Sequence, residues 1–359
     1  MGAAPPGILR LHTVGVPRNG SMVHVADRMG QDVKSTSILA VILTFIAFDH
    51  IIASPQTRGA TAGDNLKVIL LGTAGGPTIN ADRQGISTLV LAGPEKLLFD
   101  CGRGLTTSLA RLSINPSTVT KVFLTHLHSD HIVSLPELYL YPWASSGRTV
   151  PLQVWGPDGT RSMMMHLQEA FAFDIHIRRD VDEKFPAEGI RVIATDVREG
   201  LVYEGNGVKV TAFFVDHGPV KPAFGYRVDY RGHSVVMSGD TKPSENLIKF
   251  AQGVDVLIHE VGRAKDDPVL NGPLDEVLPN GSTRRQAKIV ADHHTDAREA
   301  GLVFQRTKPK LALFSHANPA RAETLATVGR EYSGRVEFGA DLMTIDVGND
   351  VTIQPFPKP

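Results

Sequence analysis

Three histidines and an aspartate crowd into one short segment, Thr125-His126-Leu127-His128-Ser129-Asp130-His131, in the pattern H-x-H-x-D-H. Imidazole and carboxylate groups suit Zn²⁺, and also Mn²⁺ or Fe²⁺. A single tetrahedral ion would struggle to use all four groups from so short a loop. Sharing them between two adjacent ions is easier, with His126 and His128 on one and Asp130 and His131 on the other. Cys101 is the only cysteine, so metal chemistry must come from His, Asp and Glu, and an intramolecular disulfide is impossible. The apolar run Val122-Phe123-Leu124 leads into the cluster, and a helix-like segment at 132–141 follows. That context reads as a buried strand, a tight ligand loop and a helix. The competing reading is a histidine-rich surface loop. The apolar strand argues against it by delivering the cluster to one end of a core.

Other strands deliver similar groups. A strong strand at 208–215 ends at Asp216-His217-Gly218. Segments 224–230 and 234–237 form a hairpin turning near Arg231-Gly232 and ending at Ser238-Gly239-Asp240. After a helix at 244–252, strand 254–258 ends at His259-Glu260, and strand 311–314 ends at Ser315-His316. Five apolar strands therefore end in a potential ligand or catalytic group: His126, His217, Asp240, Glu260 and His316. An open α/β architecture builds one site at one edge in this way.

The remaining elements frame these strands. Strand 68–71 runs into Gly72-Thr73-Ala74-Gly75-Gly76-Pro77. No Lys-Ser/Thr follows and G-x-G-x-x-G is not met, so the glycines indicate a sharp turn near the site and not a nucleotide loop. Strands 87–91 and 96–99 pair across Gly93-Pro94. Asp100-Cys101-Gly102-Arg103-Gly104 then starts a helix to 112. Asp100 either orients a ligating histidine or caps that helix. Strand 152–155 precedes a helix at 160–171, whose Met163-Met164-Met165 reads as packing. Segment 174–200 is charged and carries little signal. A loop rich in Pro and Gly spans 261–283 and is placed to cap the site. Asp296 and Glu299 form a capping box for a helix to 306. A helix at 321–332 and strands at 343–347 and 351–353 close the chain.

The bulk numbers fit one large domain or two smaller ones. The chain has 359 residues, 42% hydrophobic and 21% charged, so a sizeable core is available. A formal net charge of -1 gives no global basic field to recruit nucleic acid. Residues 1–65 are set aside as a leader. Their apolar run 38–48 is short of the ~20 residues a membrane span needs and matches a signal-peptide core. Lys34 precedes it, and Ala53 with the small or polar run 54–63 offers cleavage sites. Met22 or Met29 would make a more ordinary start than Met1 for such a signal. Export to the periplasm or medium is expected, with no stable membrane association after cleavage. An uncleaved anchor, or a buried element of a cytoplasmic protein, is the alternative.

With these residues in place, the sequence resembles the metallo-β-lactamase superfamily from about 66 to 355. H-x-H-x-D-H followed by His217, Asp240 and His316 is an ordered and specific signature. The resemblance implies an α/β four-layer fold, the αβ/βα sandwich, over 66–359. It also implies two divalent ions. His126, His128 and His217 would hold one. Asp130, His131 and His316 would hold the other, and Asp240 would bridge them. A water or hydroxide between the ions would be the nucleophile, which places Asp130 among the catalytic groups.

Within the superfamily the chain is most similar to the ribonuclease Z group. Gly72-Thr73, Phe99-Asp100-Cys101-Gly102, Phe224-Gly225-Tyr226-Arg227, Ser238-Gly239-Asp240-Thr241, Leu257-Ile258-His259-Glu260 and His294-Thr295 carry that similarity. It implies a Glu260–His294 pair in which the carboxylate orients the imidazole and the imidazole protonates the leaving oxygen. Before the next capping box, His294 would feel a helix N-terminus that disfavours imidazolium. A helix-proximal surface pair is the plain reading of His293-His294. The group commonly inserts a basic, Gly-rich arm between the third ligand and the bridging Asp, but 218–239 has room only for a hairpin. The expected function is therefore a binuclear phosphodiesterase acting on a small or exposed phosphodiester. tRNA 3′-end cleavage, or hydrolysis of another ester as in a sulfatase, lactonase or β-lactamase, is the alternative. A homodimer is allowed for. A non-enzymatic metal-binding protein of the same fold is the remaining class, and the complete ligand set with an acid pair argues against it.

Overall fold

The computed structural model describes residues 66–317 and 320–356. The expected leader, with its apolar run 38–48, lies outside the described residues. Among the described residues, strands form two sheets, of eight and seven strands. The first sheet runs, in spatial order, Val351–Gln354, Thr344–Val347, Leu66–Gly72, Ser87–Ala92, Glu95–Phe99, Lys121–Phe123, Leu152–Gly156 and Val192–Asp196. The second runs Val336–Phe338, Leu311–Ala317, Val256–Val261, His233–Met237, Val220–Tyr230, Val208–His217 and Gly200–Gly205. Each sheet is antiparallel in one half and parallel in the other.

Strand alternation explains how these sequences build layers. Val68 and Leu70 point into a core shared with Val256, Ile258, Leu311 and Leu313 of the second sheet. Their neighbours Ile69 and Leu71 point the other way. There they meet Leu109 of helix Leu105–Arg111, Leu138 and Trp143 of helix Leu135–Ser145, and Met164 of helix Thr160–Ala170. On the second sheet, Leu257, Ala312 and Phe314 turn outward onto Leu247, Val303, Phe304 and Val328 of three further helices. Period-two alternation with both faces covered gives near-continuous apolar strands and four layers, helix–sheet–sheet–helix. This is the expected αβ/βα sandwich. Met164 packs as expected of the Met163-Met164-Met165 run.

Several elements depart from the sequence expectations. The helix expected at 132–141 is two pieces, Ser129–Ile132 and Leu135–Ser145. Pro136 has no N–H to donate to Ile132, so the helix restarts. The weak segment 174–200 holds an edge strand, Val192–Asp196, and leads into a second one, Gly200–Gly205. Both lie half-open at sheet margins, where apolar and polar positions barely contrast. The short strand Val336–Phe338 and the helix Arg284–His293 are likewise not anticipated. Among the described residues, no helix is long and apolar enough to cross a membrane.

Candidate metal centre

The H-x-H-x-D-H segment follows the strand Lys121–Phe123 after one further ladder bond, from the Leu124 N–H to the Trp155 carbonyl at 2.8 Å. Asp100 makes the turn into that segment possible. It adopts a left-handed backbone, φ 59°. Its carboxylate accepts the Thr125 N–H at 2.8 Å and the Thr125 hydroxyl at 2.9 Å. It also accepts His131 Nδ1–H at 2.8 Å. The following helix takes Gly104 as its N-cap, without a side-chain cap. Of the two readings of Asp100, the histidine-orienting one is therefore observed. With Nδ1 so engaged, His131 presents Nε2 to Asp240 Oδ2 at 3.4 Å and to Asp130 Oδ2 at 3.6 Å.

The expected site residues meet at one edge of the two sheets. His126, His128 and His217 bring ring nitrogens within 4.8 Å of one another, and a carboxylate oxygen of Asp130 comes equally close to ring nitrogens of His131 and His316. His126 Nε2 lies 3.0 Å from His128 Nδ1, which lies 3.4 Å from His217 Nε2. His217 donates its other nitrogen, Nδ1, to the His293 carbonyl at 3.1 Å. Asp240 sits between the two groups. Its Oδ2 is 3.9 Å from both His126 Nε2 and His217 Nε2, and its Oδ1 is 3.4 Å from His316 Nδ1. His316 Nε2 faces Asp130 Oδ2 at 3.3 Å.

The donor set fits divalent cations. Burial holds His126 well below the ordinary imidazole value and also lowers His217. Both therefore stay neutral, the form that binds a metal. Burial disfavours charge on His131 too, but Asp240 and Asp100 outweigh it and hold its pKa well above normal. Burial likewise pushes Asp240 up, and the histidines led by His316 and His131 more than reverse this. His131 Nε2 and Asp240 Oδ1 are buried with no hydrogen-bond partner. A buried polar atom left this way is destabilising unless something else satisfies it. Converging lone pairs, carboxylates and orphaned buried atoms are what a cation site requires. Cys101 is fully buried and its thiol is pushed well up by that burial, so it takes no part.

Glu260 and His294 lie beside this cluster. Glu260 is 2% exposed at the end of strand Val256–Val261. Its carboxylate accepts the N–H groups of Thr241 at 3.0 Å and Thr295 at 3.2 Å. His294 Nδ1 is 3.0 Å from both of its oxygens. The His294 ring lies 5.0 Å from that of His217 and 5.9 Å from that of His316, centre to centre. The competing reading of His293-His294 as a surface pair is set aside, since the pair borders the site. One expectation needs correction: His294 does not feel a helix N-terminus alone, because the unforeseen helix Arg284–His293 ends immediately before it. The carbonyls at that C-terminus favour imidazolium. Thr283 and Gln286 form a full capping box for the helix, a signal present in the sequence.

A second positioning network is not visible as a motif. The glycine turn 72–77 lies at the site, and the Gly76 N–H points at His316 Nε2, 3.2 Å away. Arg83 clamps that turn to the strand bearing His316. It donates to the Ala317 carbonyl at 2.6 Å, the Thr73 hydroxyl at 3.2 Å and the Thr73 carbonyl. An isolated arginine in a polar loop gives no sequence signal for this. The interval 218–239 is occupied by the hairpin Val220–Tyr230 and His233–Met237, as expected, with no inserted arm among these residues.

Four αββα layers with a His/Asp cluster at one edge define a metal-dependent hydrolase of the metallo-β-lactamase type. Residues 95–317 match the family model described as a beta-lactamase superfamily domain. Ribonuclease Z from Mycobacterium marinum is 33% identical over 293 residues, spanning 79% of this chain and 99% of that protein. Ribonuclease Z from Mycobacterium avium is 34% identical over 294 residues, spanning 79% and 98%. Among solved structures, the metallo-beta-lactamase fold protein YhfI from Bacillus subtilis aligns with a TM-score of 0.61 at 18% identity, covering 79% of this chain and 100% of that one. The short form of human tRNase Z aligns with a TM-score of 0.55 at 24% identity, covering 78% and 98%. This chain belongs to the ribonuclease Z family of the metallo-β-lactamase superfamily. Its site is one for divalent metal ions, and its chemistry is hydrolysis of phosphodiester bonds.

Proposed function

We propose that the chain cleaves a small or exposed phosphodiester at a two-ion site, with His294 as general acid held by Glu260. The ions are zinc in this proposal, with Mn²⁺ or Fe²⁺ as alternatives. His126, His128 and His217 hold one, Asp130, His131 and His316 hold the other, and Asp240 spans both. Bound there, two cations lower the pKa of a water and offset the charge of the phosphodiester. The remaining work falls to the chain's own groups. Asp100 and the His293 carbonyl fix the tautomers of His131 and His217, so that each offers Nε2. Glu260 holds the His294 Nδ1–H, which leaves the transferable proton on Nε2. Burial opposes the charge on His294, but Glu260 outweighs it and raises the pKa to about 9. Positive charge added at the neighbouring ligand cluster would lower that value.

The observation that carries this proposal is the Glu260–His294 contact at the rim of the two ligand groups. A developing alkoxide needs a proton, whereas a β-lactam hydrolase does not require such a pair. The hairpin at 218–239 and the near-neutral net charge support this substrate class, since they offer little to grip an RNA backbone. Turnover of purified, metal-loaded protein should be compared on bis-p-nitrophenyl phosphate, a sulfate ester, a lactone and a tRNA precursor. The phosphodiester is expected to be turned over fastest. Preference for the tRNA precursor would assign the tRNA 3′-end activity instead.

We also propose that the protein is exported and loses its leader. The uncharged run 38–48, with Lys34 before it and small residues after it, supports this. Sequencing the N-terminus of native protein should find a start within 54–63. An intact leader on soluble cytoplasmic protein would overturn export and strengthen the tRNA alternative.

A further inference from the structure

We propose that Arg284 is a positioning residue that sets the placement of His294, and that segment 262–293 is a bracket folded around its guanidinium. The inference rests on His294 being the general acid. It starts from an oddity of packing. The helix Arg284–His293 presents two residues to the interior, Arg284 and Ala291, and leaves Ile289 and Val290 about half exposed, at 49% and 55%. It has no apolar stripe to seat it on a sheet. Yet its C-terminus touches the site three times. The His293 carbonyl accepts from His217 Nδ1. The His293 ring lies over Gly218, where an added Cβ would come within 2.6 Å of it. His294 follows and meets Glu260.

What fixes the helix is its first residue. Arg284 is 7% exposed. Its Nε donates to the Val269 carbonyl at 2.8 Å, and its Nη1 to the Pro273 carbonyl at 2.9 Å and to Glu276 at 2.5 Å. Its own N–H donates to the Glu276 carbonyl at 2.9 Å. These acceptors lie along the Pro- and Gly-rich loop, which would otherwise have only Leu270 and Leu278 to bury. Gly272, at φ 122°, lets the backbone pass so close that a Cβ there would lie 2.6 Å from Nη1. A planar fork serving several carbonyls defines an orientation that a flexible ammonium does not. Three of the other four cations of the segment are ion-paired. Arg263 pairs with Asp267, Lys265 with Glu299 at 2.6 Å and Arg285 with Asp275 at 3.0 Å. Most of the bracket's basic side chains are therefore paired within the protein, and Lys288 is the exposed exception.

The test uses the metal-loaded full chain and two phosphodiesters, one with an alkoxide and one with a p-nitrophenolate leaving group. Arg284→Met should slow the alkyl substrate about 10²-fold more than the p-nitrophenyl one, since small misplacements of a catalytic group have effects of this size. KM should stay as in the parent, with rates compared at saturating metal because the same helix end also holds His217. Arg284→Lys should recover only part of the loss. Combining Arg284→Met with His294→Ala should slow the alkyl substrate no further than His294→Ala alone, because residues acting through one another are not additive. Gly272→Ala disturbs the guanidinium without removing it. It should reproduce the pattern in weaker form and serves as the test if Arg284→Met does not fold. Equal slowing of both substrates by either variant, or full additivity with His294→Ala, would overturn the positioning role. If His294→Ala itself shows no leaving-group dependence, the general-acid assignment fails first, and the two failures are thereby told apart.

Discussion

Asp240→Ala is expected to strip metal from both halves of the site at once. Asp240 is 3% exposed and placed between the two histidine groups. One oxygen faces His126, His131 and His217, and the other faces His316. Alanine removes the only carboxylate shared by both clusters and leaves imidazoles facing one another across a cavity. Outer partners of a metal site typically change affinity by about 10–100-fold when removed, so loss of a shared ligand should exceed that. Elemental analysis after gel filtration should fall from two ions per chain to less than one, with activity lost in step. Two ions retained in the variant would disprove the bridging assignment. Loss of one ion only would assign Asp240 to a single position.

His294→Ala should divide substrates by their leaving groups. Loss of a general acid typically lowers the rate by about 10²–10⁴-fold, equivalent to about 3–5 kcal/mol. An alkoxide departs poorly without a proton, whereas p-nitrophenolate hardly needs one. The variant should therefore lose most of its activity on an alkyl phosphodiester and little on a p-nitrophenyl one, with both ions still bound. Glu260→Gln should act in the same direction and more weakly, since an amide can still accept from Nδ1 but carries no charge to hold a proton on the ring. Equal slowing of both substrates would show that His294 positions substrate or supports the fold.

Much of this site was legible because its chemistry and its scaffold share one pattern. Strands covered on both faces read as unbroken apolar runs, and each run that reaches the site ends in His, Asp or Glu. Residues 256–261 and 311–317 are clear for that reason. Positioning groups were harder to see because they act through geometry and not through residue type. The sequence around Asp100 allows two roles, and its contacts with His131 and Thr125 select one. Arg83 gives no signal, since its partners are backbone carbonyls and one hydroxyl, which no residue pattern marks. The helix Arg284–His293 escaped because pattern reading looks for an apolar stripe, and this helix is seated by a buried guanidinium. Its capping box was the one cue available. The edge strands Val192–Asp196 and Gly200–Gly205 were lost in a charged stretch with weak alternation.

The seam between the two sheets has a consequence for the folding equilibrium. His126, His128, Asp130 and His131 follow strands of one sheet, while His217, Asp240 and His316 belong to the other. Each proposed ion is therefore liganded from both sheets. An ion bound there is a cross-link between layers that otherwise adhere through a non-directional apolar interior. Binding energy at such a cross-link adds to conformational stability by mass action. The edge of the sandwich that carries the site is then also an edge whose hold on its partner sheet strengthens with metal supply.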